Sequence, residues 1–263
     1  MTVGVGGGAV QRQPSAKADA DDHEPDLVDQ AVSEHPAKVV RYESIEEWNN
    51  NDKISGVIIQ GAGDRAFCAG NDLRYQAEGG KLEKNPMGFA GLTSRFDLKK
   101  PVIAAVNGVA MGGGFEIALA CDLIIASESA RFALPEPKVG LAALAGGMHR
   151  LPRQIGMKRA MGMMLTGRVV EAAEGLSLGF VNEVVKHENL LESAIGWAKS
   201  IMECSPTSVR TTKDVAMSGL NFSSVESAME QKYDSVVELF TGEDFIEGPL
   251  AFSEKRKPKW TGK

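Results

Sequence analysis

The chain has 263 residues, 43% of them hydrophobic, and a formal net charge of −6. That length and apolar content sustain one large core or two modest ones, and the acidic balance argues against a nucleic-acid surface, which needs clustered Lys and Arg. Three cysteines, Cys68, Cys121 and Cys204, are too few and too widely spaced for a disulfide framework or a CxxC metal knuckle, so free thiols and no metal are expected.

No apolar run reaches the roughly 18–20 residues of a membrane span, because Asn107, the glycines after it and Glu116 interrupt the most apolar stretch. No membrane partner is expected. The first residues lack the charged-then-apolar order of a secretory signal and hold too many acids for a transit peptide, which makes the cytoplasm the expected location. Residues 1–38 read as a disordered acidic tail: Gly4 to Gly8 is nearly all Gly and Val, and Asp19 to Glu34 contains acids but no Lys or Arg.

Order is expected from about Val39, with a short helix at Ser44–Trp48 capped by Ser44 and closed by Glu47. Gly56–Gly61 reads as a buried strand, and the loop GAGDRAFCAGNDL follows it. Its Gly61-Ala62-Gly63 is no dinucleotide fingerprint, since the third glycine is misplaced and no acidic ribose partner follows at the usual distance. Lys81 to Asp97 reads as a flexible flap. Pro101 to Glu136 then gathers the chemistry. The apolar run Val102–Val106 leads through Asn107-Gly108 and Gly112-Gly113-Gly114 to a helix over Phe115–Cys121, and a strand is expected at Leu123–Ala126.

Three glycines permit close approach to the backbone, and the first N–H groups of the helix have no partners within it. Such donors hold anions. Further on, a paired glycine, Gly146-Gly147, precedes a basic helical start. Helices are expected at Lys158–Leu165 and Val170–Leu178, a strand at Phe180–Val185, and largely helical structure over 188–240, including an apolar face through Leu190, Ala194 and Ala198 and an amphipathic run at Ser223–Phe240. Alternating strands and helices followed by a helical region imply an α/β fold.

Four stretches together resemble the crotonase (enoyl-CoA hydratase/isomerase) superfamily. They are Ala66-Phe67-Cys68-Ala69-Gly70-Asn71-Asp72-Leu73, the run from Lys100-Pro101 through the glycines to Glu116, Cys121-Asp122, and Phe132-Ala133-Leu134-Pro135-Glu136. Leu165-Thr166-Gly167-Arg168, Gly179-Phe180-Val181-Asn182 and the segment from Glu247 to Arg256 fit the same pattern, so the resemblance covers about residues 54–263. Within the superfamily, Gly88 to Thr93 and the ending Pro258-Lys259-Trp260 are most similar to carnitinyl-CoA dehydratases.

The resemblance implies a spiral of ββα units over residues 39–190 and a trimerising helical region over 191–263, giving a homotrimer or hexamer. It implies an acyl-CoA substrate, with coenzyme A as part of that substrate and no permanently bound cofactor. The backbone N–H groups of Asn71 and Gly113 would form an oxyanion hole, and Glu116 and Glu136 would activate one water. Ala69, Asp72, Leu73 and Arg74 would line the CoA path, with Phe252 and Lys255 reaching CoA from the C-terminal region.

The chain departs from the family pattern in two places. The Leu-Asn-Arg-Pro loop and Asn-Ala helix start are absent before residue 54, and the loop Leu141–Gly147 lacks the usual proline and polar group, which implies an apolar acyl pocket. Reversible hydration leads. A Δ3,Δ2-enoyl-CoA isomerase, needing one carboxylate, and a non-catalytic CoA-binding or scaffold subunit stay open. The competing readings of the residues are a surface Glu116 favoured by the helix dipole, a Glu136 paired to Lys138, a surface His149, and a Met157–Met164 cluster serving as core or subunit contact.

Overall fold

The computed structural model describes residues 2–5, 45–51, 54–80 and 85–263. Strands β2 (Val57–Gly61), β4 (Val102–Val106) and β6 (Leu123–Ser127) lie side by side and parallel, with β1 (Thr2–Val5) added at the β2 edge and β9 (Glu183–Val185) at the β6 edge. All five residues of β4 are buried. A strand covered on both faces needs such an unbroken apolar run instead of alternation.

On one face Ile58, Ile103, Ala105 and Ile125 pack against Leu190, Ala194 and Ile195 of helix α7 (Leu190–Met202), so the first C-terminal helix belongs to the packing of the sheet. The other face carries Val57, Ile59, Val102, Ala104, Val106 and Ala126 into the main core, where Phe115, Phe132 and Phe180 meet with ring centroids 5.1–5.2 Å apart. Fully burying each such side chain is worth about 1.5–3 kcal/mol.

A second sheet runs in the order β3 (Ala66–Cys68), β5 (Val109–Met111), β7 (Arg131–Ala133) and β8 (Val170–Glu171), parallel except for β8. The chain therefore steps from first to second sheet three times, at β2–β3, β4–β5 and β6–β7. Asn107, fully buried, holds all three steps. Its Nδ2 donates to the carbonyls of Gly61 at 3.2 Å, Gly63 at 2.6 Å and Ala66 at 3.4 Å; its Oδ1 accepts from Gly61 N–H at 3.2 Å; its own carbonyl accepts from Ser127 Oγ at 3.2 Å. After the first two steps come α2 (Leu73–Ala77) and α3 (Gly113–Ala120), and after the third a short 3-10 turn at Glu136–Val139. This is the expected ββα spiral.

The expected helix near Ser44 is α1 (Ile45–Asn49), with Ser44 outside the described residues. The tail expected over 1–38 also falls outside them, apart from β1. Residues 85–97 are a folded segment more than a loose flap: Leu92, Thr93 and Arg95 are buried, and a 3-10 turn at Phe89–Gly91 places Ala90 at φ 54°, left-handed for a residue with a Cβ.

The helix expected at Val170–Leu178 splits into β8 and α6 (Ala172–Leu178), because Val170 pairs with Phe132 of β7. Before it come α4 (Gly147–Ile155) and α5 (Met157–Thr166). Beyond α7 stand α8 (Pro206–Gly219), α9 (Val225–Met229), α10 (Asp234–Thr241) and α11 (Glu243–Ser253). Asp244 at the start of α11, buried, accepts from Ser205 Oγ and Thr261 N–H, each at 2.8 Å, and from Thr207 Oγ1 at 3.1 Å. Asp122 accepts from Val102 N–H and Lys213 Nζ, both at 2.8 Å, which fastens α8 to the core and makes Asp122 a packing residue. Among the described residues no helix is long and apolar enough to cross a membrane.

Candidate active site

Each glycine of the triplet answers to a different neighbour. Gly112 sits at φ 53°, ψ −125°, and a Cβ there would lie 3.1 Å from Glu136 Oε1. A Cβ on Gly113 would lie 2.6 Å from the Phe89 ring, and one on Gly114 only 1.9 Å from the Cys68 carbonyl oxygen. The earlier loop closes on the same point: Gly70, at φ 92°, has room for no Cβ, which would come within 2.8 Å of the Met111 carbonyl oxygen and 3.2 Å of Gly113 N. Gly113 opens α3, so its N–H has no acceptor one turn earlier in the helix. The Ala69-Gly70-Asn71 bend is thus pressed against a helix-start amide that has no acceptor within its own helix.

Glu116, in the first turn of α3, is 3% exposed and is no surface residue. Its Oε1 accepts from Gly147 N–H at 2.9 Å, the first amide of α4. Burial pushes the Glu116 carboxyl above its ordinary value; the Gly147 bond opposes this and the charge of Glu136 adds to it. Glu136 follows β7 behind Pro135, and its carbonyl accepts from Leu141 N–H at 2.9 Å, closing the turn. Burial raises this carboxyl too. Its Oε2 is buried and meets no hydrogen-bond donor among the described residues, and no ion pair to Lys138 is present among them. Two carboxyls that hold protons more tightly than usual therefore stand within electrostatic reach of each other, Glu136 against Gly112 and Glu116 on the helix that Gly113 opens. That arrangement suits proton transfer to and from a bound small molecule.

Sequence reasoning gave no role to the amide of Gly147, to Arg150 or to Phe89. The Gly146-Gly147 pair was the available signal: Gly147 has no room for a Cβ between Leu134, Ala143 and Glu116. Arg150 lies one turn into α4. Its Nη2 donates to the Thr93 carbonyl at 2.8 Å, and its Cζ stands 5.6 Å from the centre of the Phe96 ring. Burial pulls its pKa down from the ordinary value, while Glu116 pulls it up.

The other expected residues divide. Asp72 caps α2, its Oδ1 accepting from Arg74 N–H at 2.9 Å and Tyr75 N–H at 3.3 Å, and Ala69, Leu73 and Arg74 are exposed on the outer side of the same loop and helix. Phe252, 87% exposed, and Lys255, at φ 54°, lie at the end of α11, and no contact between either and the glutamates is seen among the described residues. His149 is exposed, as its surface reading requires. A cavity of about 760 Å³ lies against Leu144, Ala145 and Gly146; neither glutamate lines it. Its wall is mixed, with Arg95 on Asp97, Lys213 on Asp122 and Lys99 on Asp214 beside Phe96, Leu98 and Met217.

The spiral and the paired carboxyls define a class. The enoyl-CoA hydratase/isomerase family matches residues 41–263, and the chain belongs to that family. Among individual proteins, it is 43% identical over 229 residues to a carnitinyl-CoA dehydratase of Salmonella arizonae, covering 84% of this chain and 86% of that one. It is 42% identical over 222 residues to the carnitinyl-CoA dehydratase of Proteus mirabilis, covering 82% and 85%. Its structure is similar to that of an enoyl-CoA hydratase from Mycobacterium tuberculosis H37Rv, with a TM-score of 0.77 and 37% identity over 83% of this chain and 85% of that one. The enoyl-CoA hydratase from Bacillus anthracis gives 0.76 and 37% over the same shares.

Proposed function

We propose that the protein is a hydro-lyase that reversibly adds water across the α,β double bond of an enoyl-CoA thioester. The observation that carries this reading is the pair Glu116 and Glu136, both with raised pKa, with Glu136 Oε1 beside Gly112 and its Oε2 without a hydrogen-bond partner among the described residues. In the proposed reaction the N–H groups of Asn71 and Gly113 take the developing charge on the thioester oxygen, which makes the β-carbon electrophilic; one such donor is worth about 3–4 kcal/mol in the transition state. Water attacks the β-carbon and gives its proton to Glu116 as the C=C electrons move toward the carbonyl. Glu136 then delivers its proton to the α-carbon. The reverse sequence removes water. Two carboxyls favour this over isomerisation, which needs one.

Coenzyme A enters as part of the substrate, along Ala69, Asp72, Leu73 and Arg74, with Phe252 and Lys255 at the far end of the path. A homo-oligomer accords with the apolar stripe Met157, Met161 and Leu165, exposed at one-turn spacing on α5, and with exposed Phe240, Ile246 and Phe252 on the C-terminal helices. The free thiols of Cys68, Cys121 and Cys204 suit a reducing cytoplasm.

The test is loss of the conjugated enoyl-thioester absorbance of crotonyl-CoA and crotonobetainyl-CoA, with Glu116→Gln alongside. Turnover by the wild type and a fall of about 10²–10⁴ in kcat for the variant are expected. No turnover of either thioester by the folded wild type would sink the reading.

A further inference from the structure

We propose that Arg150 is a positioning residue that fixes the roof and the floor of the active site with one guanidinium; this rests on the hydratase reading above. The roof is the segment 85–97. Phe89 is its contact with the chemistry, since the ring packs on Gly113, where a Cβ would come within 2.6 Å. Buried Thr93 sets Phe89 in place: its Oγ1 accepts from Phe89 N–H at 2.8 Å, and its carbonyl accepts from Arg150 Nη2 at 2.8 Å. Phe96, three residues on, lies under the same guanidinium. The floor is the loop that ends at Gly147, whose N–H holds Glu116. Arg150 Nη1 donates to the Ala145 carbonyl in that loop at 3.5 Å and fills the space that a Cβ on Gly146 would need, 2.1 Å away.

Two carbonyls in different directions call for a planar fork; a lysine ammonium reaches one of them and lacks the stacking surface over Phe96. No carboxylate forms an ion pair with Arg150 among the described residues, so its bonding goes to these two segments. The substrate carbonyl, held at Gly113 beneath Phe89, and the Glu116 carboxyl, held by Gly147, thereby keep one relative placement. Arg153, next turn along α4, is an internal control, because it is exposed and among the described residues donates only to the His149 carbonyl.

Wild type, Arg150→Ala, Arg150→Lys and Arg153→Ala are compared in crotonyl-CoA kinetics and in hydrogen exchange of ligand-free protein. Expected for Arg150→Ala are a kcat at least about tenfold lower with KM within about threefold, partial recovery of kcat by added guanidinium ion, and faster exchange at Phe89 and Ser94 with β4 unchanged. Arg150→Lys is expected to unfold near the wild-type temperature yet keep the low kcat, which carries the test if the alanine variant fails to fold. Arg153→Ala matches the wild type. A folded Arg150→Lys with wild-type kcat overturns the proposal, as does a kcat loss in Arg150→Ala with neither faster exchange nor guanidinium recovery. A wild type that binds and turns over no enoyl-CoA overturns the hydratase reading instead, while the exchange data still decide whether Arg150 holds the roof.

Discussion

Glu136→Gln should give a protein that is more stable and far less active. In the unfolded chain the carboxyl titrates at its ordinary value, 4.5; in the folded chain burial raises that value. Between the two, the folded state binds more protons than the unfolded state, so the contribution of this group to stability is greatest below the ordinary value and declines as pH rises through the folded one. Glutamine does not ionise, and the decline disappears. Keeping the ionised carboxylate buried without a partner costs about 1–3 kcal/mol; because the group is only partly enclosed and the neutral amide keeps a smaller cost of its own, the gain where the carboxyl would be ionised falls at the low end, about 1 kcal/mol. That corresponds to a melting temperature roughly 2–4 °C higher for a chain of this size. The proposed proton donor is lost, so kcat falls by about 10²–10⁴. Thermal unfolding at pH 8 and pH 4, with crotonyl-CoA turnover at pH 8, checks both. A gain that persists unchanged at pH 4, where both side chains are neutral, would refute the electrostatic argument, and a wild-type kcat would refute the assignment.

Gly147→Ala places a methyl 3.0 Å from Leu134 Cδ1 and 3.1 Å from Ala143 Cβ and Glu116 Cγ; the overpacking costs about 1–3 kcal/mol. As the amide withdraws from Glu116, that carboxyl keeps its proton to still higher pH, and the basic-side shift is read in the acid limb of the pH–rate profile. Asp244→Ala strands Ser205, Thr207 and the Thr261 amide and should lower stability by about 3 kcal/mol in a denaturant titration. Burial alone would raise the Asp244 pKa, but the bonds to Thr261, Ser205, Gly262 and Thr207 prevail and hold it below its ordinary value of 3.8. Its contribution is therefore present above that value and is lost as pH falls through the lowered one, so the deficit of the variant should shrink in strong acid.

How much of this was legible depended on which force shaped each element. β4 was plain because a strand buried on both faces must be apolar throughout, and α7 because its buried residues recur at helical spacing. Helix α8 fell inside the largely helical stretch 188–240 but was not delimited, for the converse reason: the residues it buries are Thr207 and Thr211, so its inner face carries no apolar signal, although Ser205 as cap and Pro206 at the first position mark its start. The run Ser223–Phe240 read as one helix but is two, broken at extended Tyr233, whose hydroxyl turns back to the Ala228 carbonyl at 2.8 Å. In the site, the glycines and both glutamates could be named from sequence because each needs a particular residue type. The groups around them, Gly147 N–H on Glu116 and the Thr93 carbonyl on Arg150, are backbone groups with no side-chain identity to read.

The corner at Asn107 bears on tolerance to error. Amide bend, helix start and second carboxylate each lie a few residues beyond one of the three steps between sheets, and those steps meet at one residue, whose side chain bonds the first step and whose backbone carbonyl bonds Ser127 of the third. Their relative heights are thus coupled through that residue. A change at Asn107 that spared the fold, such as Asn107→Asp with its repelled Gly61, Gly63 and Ala66 carbonyls, would move the amide bend against the helix start, so that activity would fail while every reacting group stayed in the molecule.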